Sequence, residues 1–265
     1  MDLPEYPRVI YQNNPLNEVV CQLKFPPILK ISEQKPVEFQ EEIRKDYPFF
    51  ESISPQFPSD ITKIISPQLS GIFNNEISYI FKSEDEKWQL FLSKESITLS
   101  TKEYKRYEDF KERLLQIINI LEKIYQPVFY TRIGFKYQDL IIRSQLNLND
   151  VDWCELISED IAREFYYPCL SKSLKHIIKN LVLEVSEIEE GYVNLNHGLV
   201  KIQNKENNEE EISYVIDADF YTEKRINKND DIWKILDTFN RLARKFFRFS
   251  ITDKLHRAME PELCT

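Results

Sequence analysis

YTRIGFKYQDLI, residues 130–141, follows Pro127 and alternates as a β-strand does, with Arg132 and Lys136 on one face. Two fixed cations and Gly134, one of only four glycines in the chain, stand in a strand flanked by apolar sequence. In the opening strand, Glu18 likewise falls on the more polar side, opposite Val19, Cys21, Leu23 and Phe25. One reading of Glu18, Arg132 and Lys136 is structural: a cross-strand ion pair that fixes register, with Gly134 permitting a bulge or close packing. The other is an anion or substrate contact in a groove. The structural reading is preferred, and it puts the cations on a sheet face covered partly by loops or by a partner.

On the N-terminal side of this strand, residues 104–125 carry Tyr107, Phe110, Leu114, Ile117, Ile118, Leu121 and Tyr125 at steps of three and four, the apolar stripe of an amphipathic helix that Pro127 stops. Before it, EISYIF, KWQLFLS and SITLS read as three strands joined by short polar links, an antiparallel meander. Further back, residues 14–25 read as a half-buried strand and 36–46 as a helix begun by Pro36, while the Pro- and Ser-rich stretch 48–68 reads as a loop. On the C-terminal side the plan recurs. Residues 175–188, 192–202 and 212–221 read as strands, linked in the last case by the polar NKENNEEE. A helix over 231–249 then buries Ile232, Leu236, Phe239, Leu242, Ala243 and Phe246. Residues 144–174 read as a connector with a short helix around SEDIAREFYYP.

Composition excludes more than it selects. The chain has 265 residues, 42% of them hydrophobic, enough for a sizeable core. A formal net charge of -9 argues against a nucleic-acid coat or a polybasic membrane binder. With four glycines in all, no phosphate-cradling loop or dinucleotide fingerprint can be built. Cys21, Cys154, Cys169 and Cys264 stand far apart and form no zinc spacing with the three histidines, so reduced thiols are expected. The start MDLPEYPRVIYQNN has no apolar signal region, and no run approaches the ~18 apolar residues of a membrane helix. The expectation is a cytoplasmic protein with no cofactor and no membrane contact.

Two further constellations carry chemistry. Asp217 and Asp219 share a strand face, and paired carboxylates can hold Mg²⁺ or Ca²⁺ with a third oxygen, for which Glu184 is the candidate. The plainer reading is a solvated strand face with Ile216, Ala218 and Phe220 turned to the core. In the last helix Arg241, Arg244, Lys245 and Arg248 follow i, i+3, i+4, i+7 and form one basic stripe. It reads as a solvated helix face, or as a docking face for an acidic protein or a nucleic-acid backbone. His197 in LNHGL lacks a recognisable nucleophile or orienting acid beside it and reads as a turn or sheet residue.

The segments YPRVIYQNNPLNEVVCQLKF, WQLFLSKESITLSTKEYKRYEDF, PVFYTRIGFKYQDLI and FRFSITDKLHRAME, in this order over nearly the whole chain, resemble a sporadically distributed family of uncharacterised bacterial proteins. Its members open with an N-P-L-x-E-V strand and carry an R-I-G-L-R-Y segment in mid-chain. The resemblance attaches no reaction to the chain, and the family's patchy distribution fits defence-related or mobile-element gene neighbourhoods. Phe135 and Lys136 stand where the family has Leu and Arg, and Asp139 where it has Asn. A role resting on a bidentate Arg or an amide does not carry over to those positions.

The combined expectation is an α+β protein. It has one or two antiparallel sheets, a long amphipathic helix on each half, and a plan suggesting a duplicated sheet-plus-helix unit. Residues 1–143, the connector 144–174 and residues 175–265 pack as one compact unit. The expected function is a non-catalytic protein-binding subunit that works with a partner protein in a bacterial defence or mobile-element system. The alternatives are a metal-dependent enzyme acting through Asp217 and Asp219, and a nucleic-acid-binding accessory using the basic helix.

Overall fold

The computed structural model describes residues 1–53, 77–203, 210–227 and 231–264. Strands β1 (Val9–Tyr11) and β2 (Leu16–Lys24) lead to two short helices, α1 (Leu29–Glu33) and α2 (Val37–Ile43), and to β3 (Phe49–Ile53). The hairpins of β4 (Ser78–Lys82), β5 (Trp88–Ser93) and β6 (Ser96–Thr101) run into the long helix α3 (Tyr107–Ile124). After it come β7 (Phe129–Tyr130) and β8 (Arg132–Ile141). The connector holds α4 (Glu159–Ala162) and α5 (Pro168–Ser171). It is followed by β9 (Ile177–Glu184), β10 (Gly191–Gln203), β11 (Glu210–Thr222) and β12 (Ile226–Asn227). The second long helix, α6 (Ile232–Ser250), precedes α7 (Asp253–Ala258) and β13 (Pro261–Leu263).

Nine of these strands form one antiparallel sheet in the order β3-β4-β5-β6-β2-β8-β11-β10-β9. The fold is therefore α+β, and the two halves share a single sheet. Its seam is β8, which pairs with β2 on one side (Cys21 opposite Phe135) and with β11 on the other (Ala218 opposite Tyr137). Period-2 alternation sends Val19, Cys21 and Leu23, Ile133, Phe135 and Tyr137, and Ile216, Ala218 and Phe220 to one face, where all are buried.

Helices α3 and α6 lie across that face. Phe110 of α3 packs on Phe135 with ring centroids 5.3 Å apart, and Phe239 of α6 packs on Phe220 at 6.0 Å. Every residue of the stripes expected from sequence is buried in both helices. Burial of each large apolar side chain contributes roughly 1.5–3 kcal/mol, far more than helix propensity does. The side chain of Asp231 caps α6 by accepting from the N–H groups of Trp233 and Lys234. A hydrogen bond from Tyr107 Oη to Asp237 (2.7 Å) and an ion pair from Lys111 to the same carboxylate (2.7 Å) join the two helices.

Two local readings change. Residues 49–53 are the outer strand β3 and not loop, while residues 54–68 of the same stretch lie outside the described residues, as do Gly71 and the link 204–209. Strand β2 is not half-buried, because Val19 to Leu23 are covered on both faces, as suits a strand near the middle of the sheet. The cysteines are free thiols. Among the described residues no helix is long and apolar enough to cross a membrane.

Candidate ligand-binding site

The sheet face away from the helices is polar, and it explains the two cations of β8. Arg132 does not reach Glu18. The register sets Arg132 opposite Lys24 and the buried Glu18 opposite Gln138, at the other end of β2, where the strand bulges. Arg132 Nη2 instead pairs with Asp219 at 2.7 Å and Nη1 donates to Gln22 at 3.2 Å. Lys136 pairs with Asp217 at 2.8 Å, and Gln138 donates to the same carboxylate at 2.8 Å. Gly134 is what allows this: a Cβ there would stand 2.1 Å from Arg132 Nη1, so the guanidinium lies across the bare strand.

Asp217 and Asp219, the candidate metal pair, are thus each paired with a neighbouring cation of β8. Glu184, the expected third ligand, lies exposed on β9, two strands from Asp219. Among the described residues no group of three His, Cys, Asp or Glu side chains is placed to share an ion.

The basic stripe also departs from a solvated face. Lys245 is 5% exposed and paired with Glu5 of the N-terminal segment. Arg248 pairs with Asp253 and lies 5.1 Å over the ring of Tyr6, while Arg241 stands 3.9 Å from Glu187. The N-terminal segment covers this face of α6 because its carboxylate and tyrosine complement the stripe. Arg244 differs: among the described residues it has no hydrogen bond or ion pair. Burial lowers its pKa, and the nearby Arg8 guanidinium lowers it further.

Arg244 opens into a cavity of about 430 Å³ between the start of α3 and the second half of α6. The sheet supplies the floor through Tyr137 and Asp139 of β8, and β1, zipped to β13, supplies the roof. Its volume lies within the ~300–1,000 Å³ typical of small-molecule sites. Tyrosines dominate the walls. Tyr104 packs edge-on to Tyr137 at 5.9 Å, Tyr137 donates to Asn240 at 3.0 Å, and Tyr11 packs against Phe247 at 5.8 Å. The Tyr11 hydroxyl and His256 Nδ1 are 2.8 Å apart. Burial pushes the Tyr11 phenol up to about 12 and lowers His256, so burial favours the neutral form of both groups that share this hydrogen bond.

Asp139 is the unusual member. It is 5% exposed and lines the cavity, and among the described residues no hydrogen bond or ion pair reaches its carboxyl group. Burial pushes its pKa up to about 8, with a smaller push from Asp217 across the sheet. A buried polar group without a partner is costly, and a ligand is one way to supply the partner.

Of the site residues expected from sequence, the cavity gathers Arg244, Lys245 and Arg248; Glu18, Lys136, Asp217 and Asp219 lie elsewhere. Sequence reasoning missed Asp139, Tyr11, Tyr104 and Tyr137. Asp139 did leave a signal, for it interrupts the apolar series Ile133, Phe135, Tyr137, Ile141 on the helix side of β8. His197 is a buried residue of β10 with Nδ1 2.7 Å from the Tyr214 hydroxyl; burial, reinforced by Lys179, lowers it to about 4, and it has no access to the cavity. Compared with known proteins, the chain matches no family model and no curated protein.

Proposed function

We propose that the chain is a non-catalytic binding protein that holds a small anionic ligand between its two long helices and works with a protein partner. The defence or mobile-element setting suggested by its family resemblance is part of this reading. One observation carries it: a cation, Arg244, and a buried acid, Asp139, both without partners among the described residues, open into the same tyrosine-walled cavity. Support for a partner comes from β9, the outer strand of the sheet, where Ile178 and Val182 are 47% and 59% exposed. Such an edge offers free backbone groups to another chain. The cations once read as a nucleic-acid face are mostly engaged within the chain, which disfavours that alternative.

Strand order also favours an internal duplication. Outward from the seam, β2-β6-β5-β4 on one side and β8-β11-β10-β9 on the other follow the same chain order, and each series ends in a long helix. On this reading the boundary between units falls near Pro127, before β8, and not at residue 143.

The binding reading is tested by purifying the chain from its native host, denaturing it and identifying released small molecules by mass spectrometry. A single anionic species near one per chain is expected from the wild type and not from Arg244→Glu, whose circular dichroism should be unchanged. Equal recovery from both proteins, or none from either, would overturn it.

A further inference from the structure

Strand β9 reads IIKNLVLE and lies at the outer edge of the sheet, where no strand among the described residues pairs with its free side. Exposed edges are ordinarily guarded by charged side chains standing in the path of a second strand. Lys179 does not do this, for it turns inward, donating to the Ile161 carbonyl at 2.8 Å and pairing with Glu164. Asn180 is likewise tied back to its own sheet, donating to Asn194 at 2.8 Å and to Asn196 at 2.7 Å. Glu184 is left as the exposed charge, at the last residue of the strand. The rest of the exposed surface is apolar. The register with β10 and β11 puts Ile178 and Val182 on the face of Asp217 and Asp219, and Leu181 on the face of the helices; all three are exposed. Tyr166, Tyr167 and Leu170, in the connector that leads into β9, are exposed as well. Nearly half of the exposed large apolar side chains among the described residues thus fall between residues 166 and 192. Apolar exposure concentrated in this way marks a surface that another protein covers.

The strand is close to a palindrome about Asn180, and this selects the occupant. When two identical strands pair antiparallel about a two-fold axis at Asn180, each residue faces the one equally far on the other side of Asn180 in the second copy. Ile178 then meets Val182 and Ile177 meets Leu183, each twice, and His176, just before the strand, meets Glu184, a donor against an acceptor. The axis stands perpendicular to the sheet, so the helix-covered faces and the polar faces both continue across the junction. The adjacent registers that keep this match of faces are worse. An axis at Lys179 sets two lysines opposite each other, and an axis at Leu181 sets Ile178 against Glu184 and Val182 against Asn180. An unrelated partner would need none of this symmetry. The inference rests on the reading of β9 as a docking edge and names what docks there. We propose that β9 pairs antiparallel with β9 of a second copy of this chain, centred on Asn180, in a two-fold dimer whose nine-stranded sheets join into one.

The oligomeric state of the full chain is measured by sedimentation equilibrium, and a mass twice that of one chain is expected. Val182→Lys places a charge at an exposed position of the edge, so it should halve that mass and leave the circular dichroism unchanged. The register is read by crosslinking in a chain whose exposed Cys169 is changed to serine. There Asn180→Cys should form an intermolecular disulfide under mild oxidation, because opposed residues of an antiparallel pair stand about 4.5–5.5 Å apart, within disulfide reach. Val182→Cys in the same background faces Ile178 and should not. A monomeric wild type, a dimer that Val182→Lys leaves intact, or crosslinking at 182 in place of 180 overturns the proposal. A monomeric chain that loses a native-host partner on Val182→Lys overturns the second copy and leaves β9 standing as a docking edge. A monomeric chain with no partner that depends on Val182 overturns both.

Discussion

Arg132 shows how one small residue positions a large one. Its guanidinium crosses Gly134 to hold Asp219 and Gln22, and these side chains are mostly shielded from water, at 15% and 28% exposure for the ion pair. Burial raises the pKa of Asp219 and Arg132 opposes that rise. Removing the arginine takes the ion-pair partner from a partly buried carboxylate, so Arg132→Ala should cost on the order of 1–3 kcal/mol, read as a lower urea midpoint. Gly134→Ala should cost a similar amount by displacing the guanidinium, yet be almost harmless once Arg132 is already alanine. Additive losses in that double-mutant cycle would break the link between the two residues. Asp139 makes a second residue-level prediction. Burial raises its folded pKa from 3.8 to about 8, so the folded protein keeps a proton that the unfolded chain releases. Its stability contribution is therefore intact below the unfolded value and is lost as pH rises from about 4 to about 8. Asp139→Asn should melt with the wild type near pH 4 and increasingly above it towards pH 8. A constant difference across that range would place the carboxylate in a solvated site.

Elements differ in how far their local pattern determines them. The stripes of α3 and α6 were legible because a helix buries one face whatever it packs against, and the period of 3.6 survives in any context. The alternation of β8 was legible for the same reason. What covers each face was not. Arg132 and Asp219 are 87 residues apart, and only the pairing of β8 with β11 brings them together. The basic stripe of α6 was correctly placed on one face, but nothing local reveals that Glu5 and Tyr6 return across the chain to cover it. Asp139 lay in plain view as the polar break in an apolar alternation. Its meaning required the cavity, which six separate stretches of chain enclose.

At the scale of the molecule, the β2–β8 seam makes the two halves dependent on one another. Each would present a long central strand as an open edge, with an apolar face only partly covered, if the other were absent. Unfolding should therefore be one cooperative event, with tryptophan fluorescence and far-UV circular dichroism giving coincident urea transitions. Trp88 reports on one side of the seam and Trp153 and Trp233 on the other. Two separated midpoints would show that the halves are independent.

The pairing of β1 with β13 has a mechanical consequence. Val9 lies opposite Leu263 and Tyr11 opposite Pro261, so the outward-leading ends of both strands emerge side by side. Tension applied through those ends loads the rungs of this short ladder one after another, as in a zipper, and not all at once in shear. The roof of the cavity is thus held by a ladder that opens rung by rung once load passes the contacts that pin Glu5 and Tyr6 to α6. Anything that pulls the two flanking segments apart would open the chamber, and anything that tethers them together would latch it.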